Sequence, residues 1–235
     1  MTETLTLDPR FNGPPATGHG GYVCGVLAAI LGTEPAEVTL RLPPPLGRPL
    51  TVERESGGVQ LYDGRAMVAE ALPVELEIDV PAPVSFELAD EASAGYPGLR
   101  THPFPTCLVC GPRRQPETGL RIFAGPLPDG EMLAAPWVPP SWAADEHGLV
   151  RPEFVWAALD CPGGWSLHVE MPGRHAVLGR LAARLIAPAV AADRHVVMAW
   201  PLGAEGRKGY AGSALFTEAG VLCAVARATW IRIDR

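Results

Sequence analysis

What the 235-residue sequence lacks narrows it first. No apolar run approaches the roughly 20 residues that span a bilayer, and the opening MTETLTLDPR carries an early acid and no apolar export segment. A membrane partner is therefore not expected, and the expected location is the cytoplasm. Lysine occurs once, at Lys208, among 19 basic residues, and the net charge is −7. With no basic stripe to neutralise phosphates, nucleic acid is excluded as a general partner. The first 136 residues contain no tryptophan, whereas Trp137, Trp142, Trp156, Trp165, Trp200 and Trp230 follow. Charged residues make up only 19% against 47% hydrophobic, which leaves ample material for a core and places the chain among globular proteins. The five cysteines (Cys24, Cys107, Cys110, Cys161, Cys223) are odd in number and come without an export signal, so they are read as reduced thiols.

What is present is a weak internal repeat. An extended TLTL start leads to a Pro/Gly segment, a helix-like run over about Gly20 to Leu31, and strand formers ending in GVQLYDGRAMVAEALPVELEI. Later, GLRIFAG and EMLAAPWV read as strands, RPEFVWAALD as a helix, and further strands end in GSALFTEAGVLCAVARATWIRI. Both endings pair a short strand, a polar turn (Asp63-Gly64; Glu218-Ala219-Gly220) and a longer alternating strand, which is a hairpin signal given twice. Between them LADEASAGYPGLRTHPFPT reads as a surface linker, and the boundary is placed near residues 90 to 105.

Two short segments carry chemistry. In NGPPATGHGGYVCGVLAAIL, glycines stand where helix propensity gains nothing from them, which points to close approach to the main chain. The first amides of a helix lack internal partners and sit at the positive end of its dipole, so Gly20 and Gly21 are candidate donors to a developing oxyanion. Asn12 and His19 are candidate orienting groups, with Tyr22 beside them facing substrate. In EFVWAALDCPGGW, Pro152 suits the first helical turn, and Pro162 is expected to end or kink the helix. Asp160 would then occupy the last turn of an apolar run, an unfavourable position for a carboxylate and one often kept for function. Trp156, one turn earlier, would give an apolar wall beside it.

The order strand, loop, Gly-flanked His, helix and then several strands resembles the hotdog fold of acyl-CoA thioesterases, of the phenylacetate-pathway type. Two copies resemble a double-hotdog protein. The implied architecture is α+β: two tandem hotdog domains, residues 1–92 and 93–235, each with a long antiparallel sheet wrapping a central helix, together an intramolecular pseudo-dimer. In such thioesterases an acid on the hotdog helix is nucleophile or general base, about two turns beyond the His-Gly pair. The first helix has no acid there, and the second half has no His-Gly-Gly before Asp160. The two absences are complementary, so one composite site is expected between the halves.

The resemblance thus implies hydrolysis of a small-molecule acyl thioester. No cofactor of the protein's own is implied, since coenzyme A enters as part of the substrate. Arg207 and Lys208 are candidates for its phosphates, although taken alone solvated loop charge is the simpler reading. A homodimer of double-hotdog chains is compatible with the pattern. The alternatives are a non-catalytic acyl-CoA-binding protein and a hotdog hydratase or dehydratase. Cys107-Leu108-Val109-Cys110 is half of a zinc set, but it also resembles a structural turn that precedes the first strand in this family. No metal is expected, because the spacing of Cys24, Cys161, His102 and His147 does not single out further ligands.

Overall fold

The computed structural model describes residues 3–55, 57–128, 130–167 and 175–233. The chain opens with β1 (Glu3–Thr6), forms α1 (Gly20–Leu31), and continues through β2 (Ala36–Leu40), β3 (Pro49–Glu55), β4 (Gly58–Asp63) and β5 (Ala66–Pro73). Then come α2 (Phe86–Ser93), β6 (Gly125–Pro126), β7 (Leu133–Trp137), α3 (Pro152–Ser166), β8 (His175–Leu185), β9 (His195–Glu205), β10 (Lys208–Thr217) and β11 (Leu222–Ile233). All strands join one antiparallel sheet in the order β1-β3-β4-β5-β2-β8-β11-β10-β9-β7-β6. Read inward from β1 on one side and from β7, next to edge strand β6, on the other, β1-β3-β4-β5-β2 and β7-β9-β10-β11-β8 have the same order. The two runs meet where β2 pairs with β8, with Val38 opposite Leu181.

The helices sort onto the two faces by strand alternation. On β9, Val197 faces the core that holds α1 and α3, while Val196 and Met198 face the opposite side, where Ala89 and Ala92 of α2 pack. Residues Ile78, Val80 and Val84 lie on that second face too. Both central helices are apolar nearly all round, as buried helices are. α1 is bounded as its sequence suggests: His19 caps its start by accepting from the Tyr22 N–H, and Gly32 ends it in the left-handed conformation at φ 75°.

Three local expectations fail for physical reasons. Pro162 neither ends nor shortens α3, which runs on to Ser166. The proline removes the N–H that would bond the Ala158 carbonyl. The next carbonyl, that of Leu159, accepts from the buried Ser213 hydroxyl at 2.7 Å. Asp160 therefore lies well inside the helix. GLRIFAG is not a strand: Arg121 takes φ 55°, which breaks the extension, although Leu120 N and Ile122 N still bond the carbonyls of Leu108 and Val109. The expected surface linker starts as helix α2, capped by the Ser85 hydroxyl on the Leu88 N–H, and it buries Ala89, Ala92 and Tyr96.

Candidate active site between two helices

The two segments singled out in the sequence meet at the α1–α3 contact. Gly21 and Gly25, one turn apart, turn their bare faces to α3. A Cβ on Gly21 would stand 2.5 Å from Asp160 Cβ and 2.8 Å from the Trp156 carbonyl oxygen; one on Gly25 would stand 2.5 Å from Glu153 Cα. No side chain fits either space, so these two glycines set how closely the helices approach. Their first service is to α3 itself.

That approach brings a carboxylate onto the start of α1. Asp160 Oδ2 accepts from the Gly21 N–H at 2.7 Å and lies 3.5 Å from His19 Nε2. His19 Nδ1 accepts from the Tyr22 N–H at 3.2 Å, so in the neutral ring the proton is on Nε2. That nitrogen is also 3.2 Å from Cys161 Sγ. His19 and Asp160 are each only 2% exposed. Asp160 Oδ1 is buried and has no hydrogen-bond partner among the described residues. Burial pushes the Asp160 carboxyl up to about 6, opposed by the His19 ring and the Gly21 N–H.

The amide expected to receive an oxyanion, Gly21 N–H, is therefore held by the carboxylate. Gly20, at the first helical position, has an N–H with no intrahelical acceptor. A Cβ there would meet Asp160 Oδ2 at 3.3 Å and Leu178 at 3.0 Å, so this glycine too lies against the carboxylate.

The remaining candidates are not all gathered here. Asn12 is engaged in a clamp: its Oδ1 accepts from Arg114, and its Nδ2 donates to the carbonyls of Gly13 and Thr106. Tyr22 stacks among Phe11 and Phe154, and its hydroxyl is raised to about 12, mainly by burial. Trp156 is fully buried and packs against Gly25 rather than lining an open wall. Arg207 sits at the β9–β10 turn and donates to the Arg232 carbonyl, with Lys208 opening β10; among the described residues neither contacts His19 or Asp160. His168 lies outside the described residues, while His195 is buried with Nδ1 near the Asp193 carbonyl.

A group of thiols adjoins the site. Cys107 Sγ lies 3.7 Å from Cys161 Sγ, and His102 Nε2 lies 3.3 Å from Cys110 Sγ. Hydrogen bonds from the Cys110 and Cys161 thiols hold Cys107 well below the usual thiol range against the effect of burial, while Cys110 and Cys161 are pushed up. The sequence signal for this group is the adjacency Asp160-Cys161, which puts a thiol beside the acid.

The fold is that of known thioesterase structures. A tesB protein of Mycobacterium avium subs paratuberculosis superimposes with a TM-score of 0.64 at 13% identity, over 99% of this chain and 93% of that one. A protein assigned as a thioesterase II of Thermobifida fusca YX gives 0.62 at 14% identity, over 99% and 92%. One assigned as a thioesterase of Novosphingobium aromaticivorans DSM 12444 gives 0.59 at 12% identity, over 99% and 96%. No family model matches the chain, and no curated protein matches it in sequence.

Proposed function

We propose that the protein hydrolyses acyl thioesters, of coenzyme A in the first instance, at one composite site formed by the start of α1 and the middle of α3. The architecture behind this reading is a double hotdog, residues 1–92 and 93–235, acting as an intramolecular pseudo-dimer. The repeated strand order about the β2–β8 seam supports it.

The observation that carries the reading is the Gly21 N–H bond to Asp160 Oδ2, which joins two features 139 residues apart while leaving Oδ1 buried and without a partner among the described residues. An unpaired buried carboxylate oxygen costs free energy, and a reacting group or water at Oδ1 would relieve that cost. With the thioester carbonyl oxygen on the Gly20 N–H, Oδ1 either attacks the carbonyl carbon or takes a proton from the water that does. In the first route the carbon–sulfur bond breaks to give the thiolate and an acyl anhydride at Asp160, which water then hydrolyses, its proton going to the thiolate; in the second the proton taken up by Asp160 passes to the thiolate as the carbon–sulfur bond breaks. His19 holds Oδ2 from the other side.

The test is turnover of short-chain and aromatic acyl-CoA substrates by the wild type and by Asp160→Asn. Hydrolysis by the wild type and its loss in a folded variant that still binds the substrate are expected. Equal turnover in both overturns the reading. A single turnover in ¹⁸O-labelled water that labels the Asp160 carboxylate shows direct attack, because the general-base route places the label only in the released acid.

The closure of the carboxylate onto the Gly21 amide and the depth of the site favour a second reading, a binding protein that retains the thioester unhydrolysed. Binding of a CoA ester by the wild type with no free thiol released would establish it.

A further inference from the structure

Cys107, Cys110 and Cys161 are separated in sequence, yet their sulfurs converge beside the α1–α3 contact. Cys107 Sγ is 3.7 Å from Cys161 Sγ, and the Cys110 thiol interacts with both. The two sulfurs of Cys107 and Cys161 and a ring nitrogen of His19 all lie within 4.8 Å of one another. All three cysteines are buried and none is in a disulfide. The half-set Cys107-x-x-Cys110 thus receives its third sulfur from α3.

Two histidines flank this cluster. His19 Nδ1 accepts the Tyr22 N–H and His102 Nδ1 accepts the Phe104 N–H at 2.9 Å, so in both rings the proton of the neutral form is on Nε2. Those Nε2–H groups point at Cys161 Sγ and Cys110 Sγ, at 3.2 and 3.3 Å. They are therefore donors to sulfur, not metal ligands. Thiolates formed when a cation displaces the thiol protons would find these two N–H groups already aimed at them, with the cation as their counter-ion.

Arg114, close enough to feel the field of Cys107, has committed its N–H groups to Asn12 Oδ1 and to the carbonyls of Arg10, Thr106 and Thr118. A soft divalent cation fits the remaining need. With Zn–S near 2.3 Å, a tetrahedral site sets its sulfurs about 3.7–3.8 Å apart, the spacing found between Cys107 and Cys161.

We infer that Cys107, Cys110 and Cys161 form a three-thiolate site for a zinc-class divalent cation, with His19 and His102 donating N–H bonds to the sulfurs and a non-protein ligand in the fourth position. The ion would tie the 107–110 loop to α3 next to Asp160, as a structural clasp outside the thioester reaction. Binding replaces thiol protons by the metal and releases them to solvent.

The test is metal content and cobalt binding of the full chain, purified reduced and without a metal-binding tag. About one zinc per chain is expected as purified. Cobalt added to chelator-depleted protein is expected to give a sulfur-to-cobalt charge-transfer band saturating near one equivalent. Cys110→Ser and Cys161→Ser should each weaken cobalt binding at least about tenfold, while Cys24→Ser and Cys223→Ser, outside the cluster, bind as the wild type does. If the cluster variants fail to fold, the wild-type titration decides alone. Less than about a tenth of an equivalent of either ion bound by reduced wild-type protein overturns the proposal. Neither readout uses thioester turnover, so hydrolysis without metal sinks this inference alone, and metal without hydrolysis sinks only the reading above.

Discussion

α1 and α3 hold corresponding places, each between an edge strand and a seam strand of its run, and they are built in opposite ways. α1 presents backbone: Gly20 and Gly21 at its start, Gly21 and Gly25 along its contact face, and no carboxylate anywhere. α3 presents side chains, with Trp156, Asp160 and Cys161 all buried and Pro162 inside the helix. A bare helix start supplies amide donors, and a helix crowded against it supplies the negative group they bind. Neither element has both. The difference teaches that the close helix crossing and the candidate chemistry rest on the same glycine, since the space vacated at Gly21 is filled by Asp160.

Breaking the side-chain half should cost most. Asp160→Asn is expected to lower acyl-CoA turnover about 10²–10⁴-fold, the range for a lost general base, with the circular dichroism spectrum unchanged. His19→Asn is the next largest. Asparagine keeps an acceptor for the Tyr22 N–H and so the helix cap, but loses the Nε2 contact with Asp160. That contact is an electrostatic one at 3.5 Å, the Nε2–H being directed at Cys161 Sγ, so turnover should fall less than in Asp160→Asn.

Substitutions in the backbone half separate packing from reaction. Gly21→Ala and Gly25→Ala each force a methyl against α3 and should cost about 1–3 kcal/mol, roughly 2–4 °C in Tm per kcal/mol. Only Gly21→Ala should also impair turnover, because only it displaces Asp160. If Gly25→Ala impairs turnover equally at a temperature where it is folded, the two functions are not separable. Smallest is Ser213→Ala, which leaves the Leu159 carbonyl beside Pro162 without its hydroxyl donor and should cost about 1 kcal/mol in chemical denaturation.

The sequence was legible where local chemistry decides. α1 runs from Gly20 to Leu31 as read, because a capping side chain and a left-handed glycine bound it. The four central hairpin strands follow from alternation and turns. It was not legible where tertiary contacts decide. Pro162 stays helical with Ser213, from a distant strand, bonded to the neighbouring carbonyl. Asn12 is taken by Arg114, 102 residues away, which no spacing announces. The linker becomes α2 because the far face of the sheet offers Val196, Met198 and Phe216 to cover. His19 and Asp160 were each readable as unusual residues, whereas their 3.5 Å separation required the fold.

The most direct measurement is a structure of the full chain with an acylmethyl thioether of coenzyme A, which keeps the carbonyl but cannot be hydrolysed. The account expects the carbonyl oxygen about 3 Å from the Gly20 amide and the carbonyl carbon facing Asp160 Oδ1. An analogue seated elsewhere, with Asp160 Oδ1 still enclosed and untouched, would contradict it.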